Sequence, residues 1–186
     1  INDISEKLHQ SLDWETIIQQ AVEILAVYSA SPSVAVFTWD RSSEVLRLVH
    51  HRGFAPETIQ VSSVLPVEGT LSGLAVKQAD LIASYDITQD ERVASNVREA
   101  LLKDGFHGGV VCLPLIFKDR IMGVVNFIYK EPHVLPETKR RTYLAIGRTI
   151  ALALANAEYV AQIEEEITER KRAEEALLHR VREMST

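Results

Sequence analysis

The chain has 186 residues, 46% of them hydrophobic and 25% charged, which fits one globular domain with a sizeable core plus an extension. Its net charge of −6 argues against a nucleic-acid-binding surface, and no apolar run approaches the ~18 residues of a membrane helix. The single cysteine, Cys112, excludes an internal disulfide and a multi-cysteine metal site, which favours a reducing compartment, most simply the cytoplasm.

The first half of the chain predicts helices on either side of a hairpin. Asp13 is a candidate N-cap for the first long helix, and Asp40 begins the hairpin turn between two strands. In chain order, the predicted elements are an amphipathic stretch at 4–12, a helix at 14–28, strands at 34–39 and 45–51, an extended piece at 59–64, and a helix at 71–77 capped by Thr70.

The second half predicts another hairpin between two helices. A short strand at 80–84 and a polar loop at 85–90 precede a helix at 93–103, which ends at Asp104 and Gly105. Strands at 109–117 and 121–129 follow, joined by a tight turn. This order of helix, hairpin, irregular middle segment, hairpin and helix predicts an α+β fold with an antiparallel sheet and flanking helices.

The last quarter of the chain, residues 137–184, predicts one long helix. It contains no proline and one glycine, Gly147, and its apolar residues recur at helical spacing. Such a helix would be roughly 70 Å long, so its second half has to bury its apolar side against something outside a small domain. The predicted dimer seam consists of Val160, Ile163, Ile167, Leu177, Val181 and Met184. A solvated single helix, or one folded back on its own domain, is the alternative.

Six short motifs follow one another along the chain. They are VAVFTWD at 34–40, LRL at 46–48 with Gly53 and Phe54, PVEGTLSG at 66–73, SYDI at 84–87, VCLPL at 111–115 and RIMGV at 120–124. This ordered set, which covers roughly residues 12–157, resembles the GAF domain family of small-molecule sensors. The resemblance implies a six-stranded sheet, a ligand pocket over one face, and a parallel homodimer formed through the terminal helices.

The tail carries a second resemblance. The stretch ITERKRAEEAL at 167–177 resembles the helical linkers that join sensor domains to PAS modules, histidine kinases or cyclases in bacterial two-component proteins. Together the two resemblances imply a GAF-like sensor domain at 1–157, including the N-terminal helices. They also imply a coiled-coil linker at 158–186, which leads to a downstream PAS, kinase or cyclase domain. The chain, which begins with Ile1 rather than Met, is expected to be a piece of a longer polypeptide.

The expected pocket lies between the sheet and the middle segment at 65–106. Its candidate lining residues are Phe37, Trp39, Leu74, Ile82, Tyr85, Asp86, Val93, Val97, Phe106, His107 and Cys112. Most of these are apolar and could equally fill an ordinary core that binds no ligand. The polar exceptions, Asp86 and His107, could equally face water.

Known GAF cofactors find little support in these residues. Cyclic-nucleotide-binding GAF domains carry a spread Asn-Lys-Phe-Asp-Glu signature, which none of the four asparagines begins, so a cyclic nucleotide is not expected. Covalent bilin requires a Cys-His pair in the helix before the last hairpin, whereas Cys112 precedes Leu113 on a strand. Haem-binding GAF domains place an axial histidine shortly before the last hairpin, roughly where His107 lies. The residues that flank His107 do not match those of the haem-binding members, so haem is not expected.

A catalytic or metal site is not expected either. Free methionine sulfoxide reductases are GAF enzymes that use several cysteines, and Cys112 lies on an apolar strand, where a buried core residue is expected rather than a redox-sensing thiolate. His50 and His51 are adjacent on a strand, so they point to opposite faces and cannot share a metal.

The two resemblances together imply a cytoplasmic sensor module of a bacterial two-component signalling protein. It would bind a small ligand or partner, without turning it over, and relay binding through a dimeric helix. The alternatives are a structural dimerisation spacer without a ligand, and a GAF-type methionine sulfoxide reductase.

Overall fold

Helices and strands follow one another in nearly the predicted order in the computed structural model, which describes residues 13–184 and their side chains as far as Arg180. The helices are α1 (Trp14–Ser29), α2 (Pro56–Ser62), α3 (Leu71–Gln78), α4 (Ser95–Lys103) and α5 (Glu137–Met184). The strands are β1 (Ser33–Asp40), β2 (Val45–Arg52), β3 (Val64–Pro66), β4 (Ile82–Ser84), β5 (Val110–Phe117) and β6 (Arg120–Ile128). The amphipathic stretch predicted at 4–12 lies outside the described residues.

The strands form one six-stranded sheet in the order β3-β2-β1-β6-β5-β4. All of the neighbouring pairs are antiparallel, with the N-terminal hairpin β1–β2 joined to the C-terminal hairpin β5–β6 through β1 and β6. The predicted α+β fold with a central antiparallel sheet is therefore confirmed.

Local side-chain chemistry sets the boundaries of the first elements. The Asp13 carboxylate accepts a 3.0 Å hydrogen bond from the backbone N–H of Thr16, so it caps α1 as predicted. In the β1–β2 turn, the Asp40 carboxylate accepts hydrogen bonds from the backbone N–H and the hydroxyl of Ser42 at 3.1 and 2.6 Å. These contacts close the turn and explain why the two strands pair in this register.

The extended piece predicted at 59–64 is wrong for most of its length. Residues 56–62 form α2 instead, and only β3 is extended. Pro56 occupies the first helical position, where its fixed φ favours a helix. The buried Thr58 hydroxyl donates a 2.9 Å hydrogen bond to the carboxylate of Asp104, so a residue far along the chain helps to hold α2 in place.

The sheet carries a hydrophobic core on each face. On one face α1 and α5 cover the strands, and the buried side chains include Leu25, Phe127 and Tyr143. On the other face the middle segment, residues 56–106, covers the strands, and the buried side chains include Phe37, Leu46 and Phe106. The fold is therefore a three-layer sandwich, and the expected pocket belongs to the second core.

Helix α5 has the predicted bounds and belongs partly to the domain and partly to the outside. Its first half packs on the sheet through Tyr143, Ile150 and Leu154, each about 1% exposed. Gly147 permits this close packing, because a Cβ there would lie 3.1 Å from the Pro114 carbonyl oxygen. From 161 to 180 every residue is exposed, so the helix extends away from the domain. Neither α5 nor any other helix among the described residues is long and apolar enough to cross a membrane.

Candidate functional site

A small cavity lies between the sheet and the middle segment, where the sequence predicted a pocket. Its volume is about 60 Å³, and a second cavity of about 40 Å³ adjoins it. The two cavities share the walls Leu65, Val97, Leu101, Asn126 and Ile128. Pockets for drug-sized ligands enclose roughly 300–1,000 Å³, so this conformation has room for only a few atoms.

Three buried polar side chains, here called the polar floor, meet in this otherwise apolar cavity. Asn126 on β6 donates a 2.8 Å hydrogen bond to the Ser72 hydroxyl, which also lies 3.2 Å from the Asn126 carbonyl oxygen. Cys112 is opposite Asn126 in the β5–β6 pairing, and its Sγ lies 3.8 Å from the Ser72 hydroxyl. Ser72, Asn126 and Cys112 are 4%, 6% and 1% exposed, so each faces the cavity rather than bulk water.

The start of α3 places Ser72 over the sheet. Thr70 accepts a 3.1 Å hydrogen bond from the backbone N–H of Gly73 and thereby caps the helix, as predicted. Gly73 lies so close to the preceding chain that a Cβ would come within 1.7 Å of the Val67 carbonyl oxygen. The cap and this close approach together fix the first turn of α3, and with it the Ser72 hydroxyl.

The Cys112 thiol is chemically quiet in this setting. Burial raises its pKa from the ordinary 9.0 to about 12, and the hydrogen bond with Ser72 only partly opposes that effect. The thiol therefore stays protonated at neutral pH, whereas a nucleophilic or metal-binding cysteine has to be a thiolate. In the cavity wall the Cys112 thiol is a weak hydrogen-bonding group.

A pair of arginines organises the rim of the cavity. Arg92, which lines the cavity, donates hydrogen bonds of 2.8 and 2.6 Å to the two carboxylate oxygens of Asp90, and this pairing lowers the pKa of Asp90. Arg98 on α4 donates to the backbone carbonyls of Asp90 and Val93 at 2.6 and 3.0 Å. The rim segment, residues 90–93, is therefore tied to α4.

Helix α4 is one of two lightly buried helices that cover the cavities, the other being α2, of which only Thr58 is buried. Only Ala100 and Leu101 of its nine residues are buried, and its N-cap residue, Ala94, has no side-chain acceptor. Its C-terminal end is pinned to α2, because the Asp104 carboxylate accepts hydrogen bonds from the Ala55 N–H and the Thr58 hydroxyl at 2.7 and 2.9 Å. This arrangement is that of a cover held at one end.

The predicted pocket residues divide between the cavity and other places. Val93, Val97 and Cys112 line the main cavity, and Phe37 lines the adjoining one. Phe106 is a core residue, with its ring centroid 5.5 Å from that of Phe54. The remaining candidates lie elsewhere: Trp39 and Leu74 border separate surface clefts, and Ile82 is half-buried on β4.

The two polar candidates do not face the cavity. Asp86 uses its carboxylate to accept hydrogen bonds from the N–H and hydroxyl of Thr88 at 2.7 and 2.6 Å, so it serves its own turn. His107 is exposed, and so is Tyr85. The sequence analysis missed Ser72, Asn126 and Arg92 as cavity residues. Asn126 was visible as the one polar residue in the apolar stretch VVNFI, which is a usable signal for a polar group in a buried strand.

Backbone hydrogen bonds join the covering segment to the connection that leads into α5. The N–H of His133 donates to the Tyr85 carbonyl at 3.0 Å, and the N–H of Ile87 donates to the Gly108 carbonyl at 2.9 Å. Gly108 in turn donates to the Tyr129 carbonyl at 3.1 Å. A further contact is the 2.5 Å ion pair between Asp80, which follows the C-cap of α3, and Arg140 in the first turn of α5.

A row of exposed positions, here called the outer stripe, runs along α5 on the side away from the sheet. Its apolar members Leu152, Tyr159, Ile163, Ile167 and Leu177 are 38–61% exposed. At 100° per residue these positions, together with Arg170 and Glu174, lie within one narrow sector of the helix. Of the predicted seam residues, Val160 is half-buried and lies beside this sector, and the side chains of Val181 and Met184 are outside the described part of the chain.

The spacing of the outer stripe contains one irregularity. Positions 152, 156, 159, 163, 167, 170, 174 and 177 alternate between steps of four and three, except that two steps of four meet at Ile163. An inserted step of this kind locally unwinds a coiled coil. It coincides with the point where α5 becomes fully exposed.

Metal ligation has no obvious location in the described part of the chain. Among the side chains that the structure describes, residues 13–180, no three from His, Cys, Asp or Glu lie together in an arrangement that could hold a metal ion.

Comparisons with known proteins agree with this fold. A family model described as the GAF domain matches residues 11–155, whereas no curated protein matches the chain. The GAF domain of a phosphoenolpyruvate-protein phosphotransferase from Coxiella burnetii is similar at TM-score 0.73 and 18% identity, over 87% of this chain and 94% of that one.

Two further solved structures are similar in fold. Free methionine-R-sulfoxide reductase from Neisseria meningitidis, in complex with its substrate, gives TM-score 0.71 and 13% identity over 84% of this chain and 87% of that one. A domain from Sinorhizobium meliloti 1021, described as part of a two-component sensor histidine kinase, gives TM-score 0.65 and 15% identity over 80% and 97%. At these identities the likeness concerns the fold, whereas the family model covers most of the chain: the chain belongs to the GAF domain family.

Proposed function

We propose that this GAF domain is the sensory module of a two-component signalling protein, and that a small ligand binds over the polar floor. GAF domains are generally regulatory sensor modules. The observation that carries the proposal is the hydrogen-bonded pair Ser72 and Asn126, buried in an apolar cavity. An Asn side chain has two N–H donors and a carbonyl oxygen with two lone pairs, so the pair retains capacity to bind a ligand.

In this proposal the domain has a closed state, with the small cavity, and an open state that admits the ligand. At about 60 Å³ it holds only a few atoms, so a larger ligand has to displace α4 and the rim segment. Helix α4 suits this movement because its N-terminal end is weakly held, whereas Asp104 keeps the other end on α2. A ligand that binds only the open state shifts the population towards it, which is the thermodynamic requirement for a signal.

In this proposal the effect of ligand binding reaches α5 through backbone hydrogen bonds. Displacement of the segment between Tyr85 and the rim pulls on the hydrogen bonds to Gly108 and His133, which precede α5. The Asp80–Arg140 ion pair adds a second connection to the first turn of that helix. The first half of α5 follows as a rigid element, because it packs tightly on β5 near Gly147.

The output is carried by the outer stripe of α5 in a parallel homodimer. Tyr159, Ile163 and Ile167 supply apolar contacts, and Arg170 and Glu174 form polar layers that fix the register at some cost in stability. In this proposal, residues 1–157 form the sensor and 158–186 the coiled-coil linker to a PAS, kinase or cyclase domain. The chain itself performs no catalysis, and the reduced, buried Cys112 fits a cytoplasmic setting.

A structural spacer without a ligand is the second candidate, because the small cavity favours it. A reductase is disfavoured even though the neisserial enzyme shares the fold. The single cysteine, Cys112, is buried and protonated, and one cysteine cannot form the resolving disulfide of a thiol-based reductase.

Native and denaturing mass spectrometry of the chain, purified from cells, separate these functions. The sensor predicts a bound small molecule that leaves on denaturation and is absent from a folded Ser72→Ala, Asn126→Leu variant. A mass that survives denaturation and disappears in Cys112→Ala would instead indicate a covalent group on that thiol. An unliganded dimer in every sample, including samples incubated with a cell extract of small molecules, would contradict the sensor and favour the spacer.

A further inference from the structure

Arg92 lies at the boundary between the polar-floor cavity and the surface. Together with Thr70 it lines both that cavity and a surface cleft of about 380 Å³, here called the outer cleft, which Leu74 and Lys77 also border. Among the described residues that line the cavity, Arg92 is the one with a charged side chain. A ligand that enters from the outer cleft therefore meets a guanidinium before it reaches the polar floor.

One edge of the Arg92 guanidinium is held by the protein, and the other edge is free. Its Nε and Nη2 atoms donate hydrogen bonds of 2.8 and 2.6 Å to Asp90, whose side chain is only 12% exposed. Its Nη1 atom forms no hydrogen bond with any described residue. Because a guanidinium carries five N–H donors in a planar fork, a second carboxylate can bind through Nη1 while Asp90 keeps its own edge.

The surroundings of Asp90 leave positive charge over for a ligand. Arg98 donates only to the backbone carbonyls of Asp90 and Val93, and its Nε–H is buried without an acceptor in the described part of the chain. Glu91 lines the outer cleft but not the cavity. Two guanidinium groups therefore share one carboxylate at the inner side of the rim, an arrangement that favours an incoming anion.

The polar floor offers a hydrogen-bond donor in the same cavity. Asn126 donates one of its two amide N–H groups to Ser72, and no described residue accepts the other. Burial raises the pKa of Cys112 and the Arg92 guanidinium opposes that effect, so this guanidinium lies close to the floor. In a cavity of about 60 Å³, one molecule can contact Arg92 with an acid and Asn126 with an acceptor only if few atoms separate the two groups.

The remaining walls favour an apolar body. Asn126 also borders the adjoining cavity of about 40 Å³, together with Val97 and Leu101, and none of the described residues that line this second cavity is charged. A ligand that contacts Asn126 can therefore extend a short alkyl chain past it.

We propose that the polar-floor cavity binds 2-oxo monocarboxylates with an apolar side chain, with the acid on Arg92 and the oxo group on Asn126. This inference rests on the proposed function, because it names the ligand class of the same site. Such an acid has more atoms than the closed cavity holds, so the rim segment has to move on binding. Asp90 is a positioning residue, since it holds one edge of the guanidinium.

The test compares four related probes by calorimetry on the full chain at about 150 mM salt. They are 4-methyl-2-oxopentanoate, 4-methylpentanoate without the oxo group, 4-methyl-2-pentanone with a methyl group in place of the acid, and leucine with an ammonium in place of the oxo group. We expect the oxo acid to bind at least about tenfold more tightly than each of the others, because each lacks one polar contact. Equal affinities for the oxo acid and the ketone, or tighter binding of leucine, would overturn the proposal.

Variants assign the two contacts. Arg92→Gln should remove the preference for the oxo acid over the ketone, whereas Arg52→Gln, which alters an exposed arginine paired with Glu23 of α1, should retain it. A folded Ser72→Ala, Asn126→Leu variant should lose the preference over 4-methylpentanoate and keep the preference over the ketone. An unchanged acid preference in Arg92→Gln would also contradict the proposal, and the probe comparison on the unaltered chain decides it even where a variant fails to fold.

The results separate this inference from the proposed function. A molecule that leaves the chain on denaturation but is not a carboxylic acid would overturn the ligand class alone and leave the sensor function standing. An unliganded chain in that experiment, together with no saturable binding of any probe, would contradict both.

Discussion

Ser72 and Asn126 lie 54 residues apart in the chain, yet their side chains exchange hydrogen bonds of 2.8 and 3.2 Å at the centre of a hydrophobic core. One residue comes from the first turn of α3 and the other from the central strand β6. Because both are buried, each supplies the other with a hydrogen-bond partner, and neither is independent of the other.

A double-mutant cycle should reveal this dependence. Ser72→Ala leaves the Asn126 amide buried without its partner, which should lower the free energy of unfolding by about 1–3 kcal/mol. Adding Asn126→Leu removes the stranded amide, so the double variant should cost less than the sum of the singles by about 0.5–3 kcal/mol. Urea denaturation of the four proteins measures the coupling, and strictly additive costs would show that the pair does not act as a unit.

The glycine between the cavity cover and α5 should be intolerant of a side chain. A Cβ on Gly108 would lie 1.8 Å from the Glu131 carbonyl oxygen, so Gly108→Ala has to separate two backbone segments. It should lower the free energy of unfolding several times more than a substitution that only strains φ. Gly105→Ala is the matched control: its φ is +84° but its surroundings are open, so a cost of about 1–2 kcal/mol is expected. Equal denaturation midpoints for the two variants would contradict the close packing.

The buried thiol should make stability fall at high pH. Burial raises the pKa of Cys112 from 9.0 to about 12, so between these values the unfolded chain loses a proton that the folded protein retains. This contribution is fully present below pH 9 and is lost as pH rises towards 12, at a limiting slope of about 1.4 kcal/mol per pH unit.

Comparison with Cys112→Ala isolates the thiol, because Tyr129 and Tyr143, whose pKa values are also raised by burial, remain in both proteins. Urea denaturation at pH 8 and 10.5 should show a steeper loss of stability in the unaltered chain. Parallel losses in the two proteins would mean that Cys112 is not held protonated.

The outer stripe should control association without supporting the domain. Ile163 is 56% exposed in the single chain, so Ile163→Asp should leave the melting temperature of the domain unchanged. In a dimer the new carboxylate would be buried without a partner, at a cost of about 3–5 kcal/mol, so association should weaken more than 100-fold. Ala161→Asp, on the opposite side of the exposed helix, is the control for added charge. Sedimentation equilibrium that shows equal masses for both variants would remove Ile163 from the seam.

Elements specified by neighbouring residues were predictable from the sequence. Asp13 caps α1, Thr70 caps α3, and Asp40 closes the first hairpin, because each acts on backbone groups within three residues. The long helix α5 was predicted over about residues 137–184, the range that it occupies, since regular apolar spacing without proline is typical of a continuous helix.

Features that depend on distant residues were not predictable in the same way. Residues 59–64 contain β-branched side chains that favour a strand, but the hydrogen bond from Thr58 to Asp104 and the packing of α2 on α4 favour a helix. The cavity shows the same limit. Ser72 and Cys112 meet Asn126 only because β5, β6 and α3 converge, and Tyr85 and His107, which looked suitable in the sequence, point outward.

The central claim is that one helix serves both the domain and a parallel dimer seam, and disulfide cross-linking tests it most directly. In a Cys112→Ala background, Ile167→Cys and Leu177→Cys each place a thiol on the outer stripe, and Glu165→Cys places one on the opposite side. A parallel seam brings each stripe cysteine within the ~7 Å Cα separation that a disulfide tolerates from its own copy. We predict covalent dimers at both stripe positions under mild oxidation, and few or none at Glu165. Cross-linking at only one stripe position would indicate an antiparallel contact, and cross-linking no faster than at Glu165 would contradict the seam.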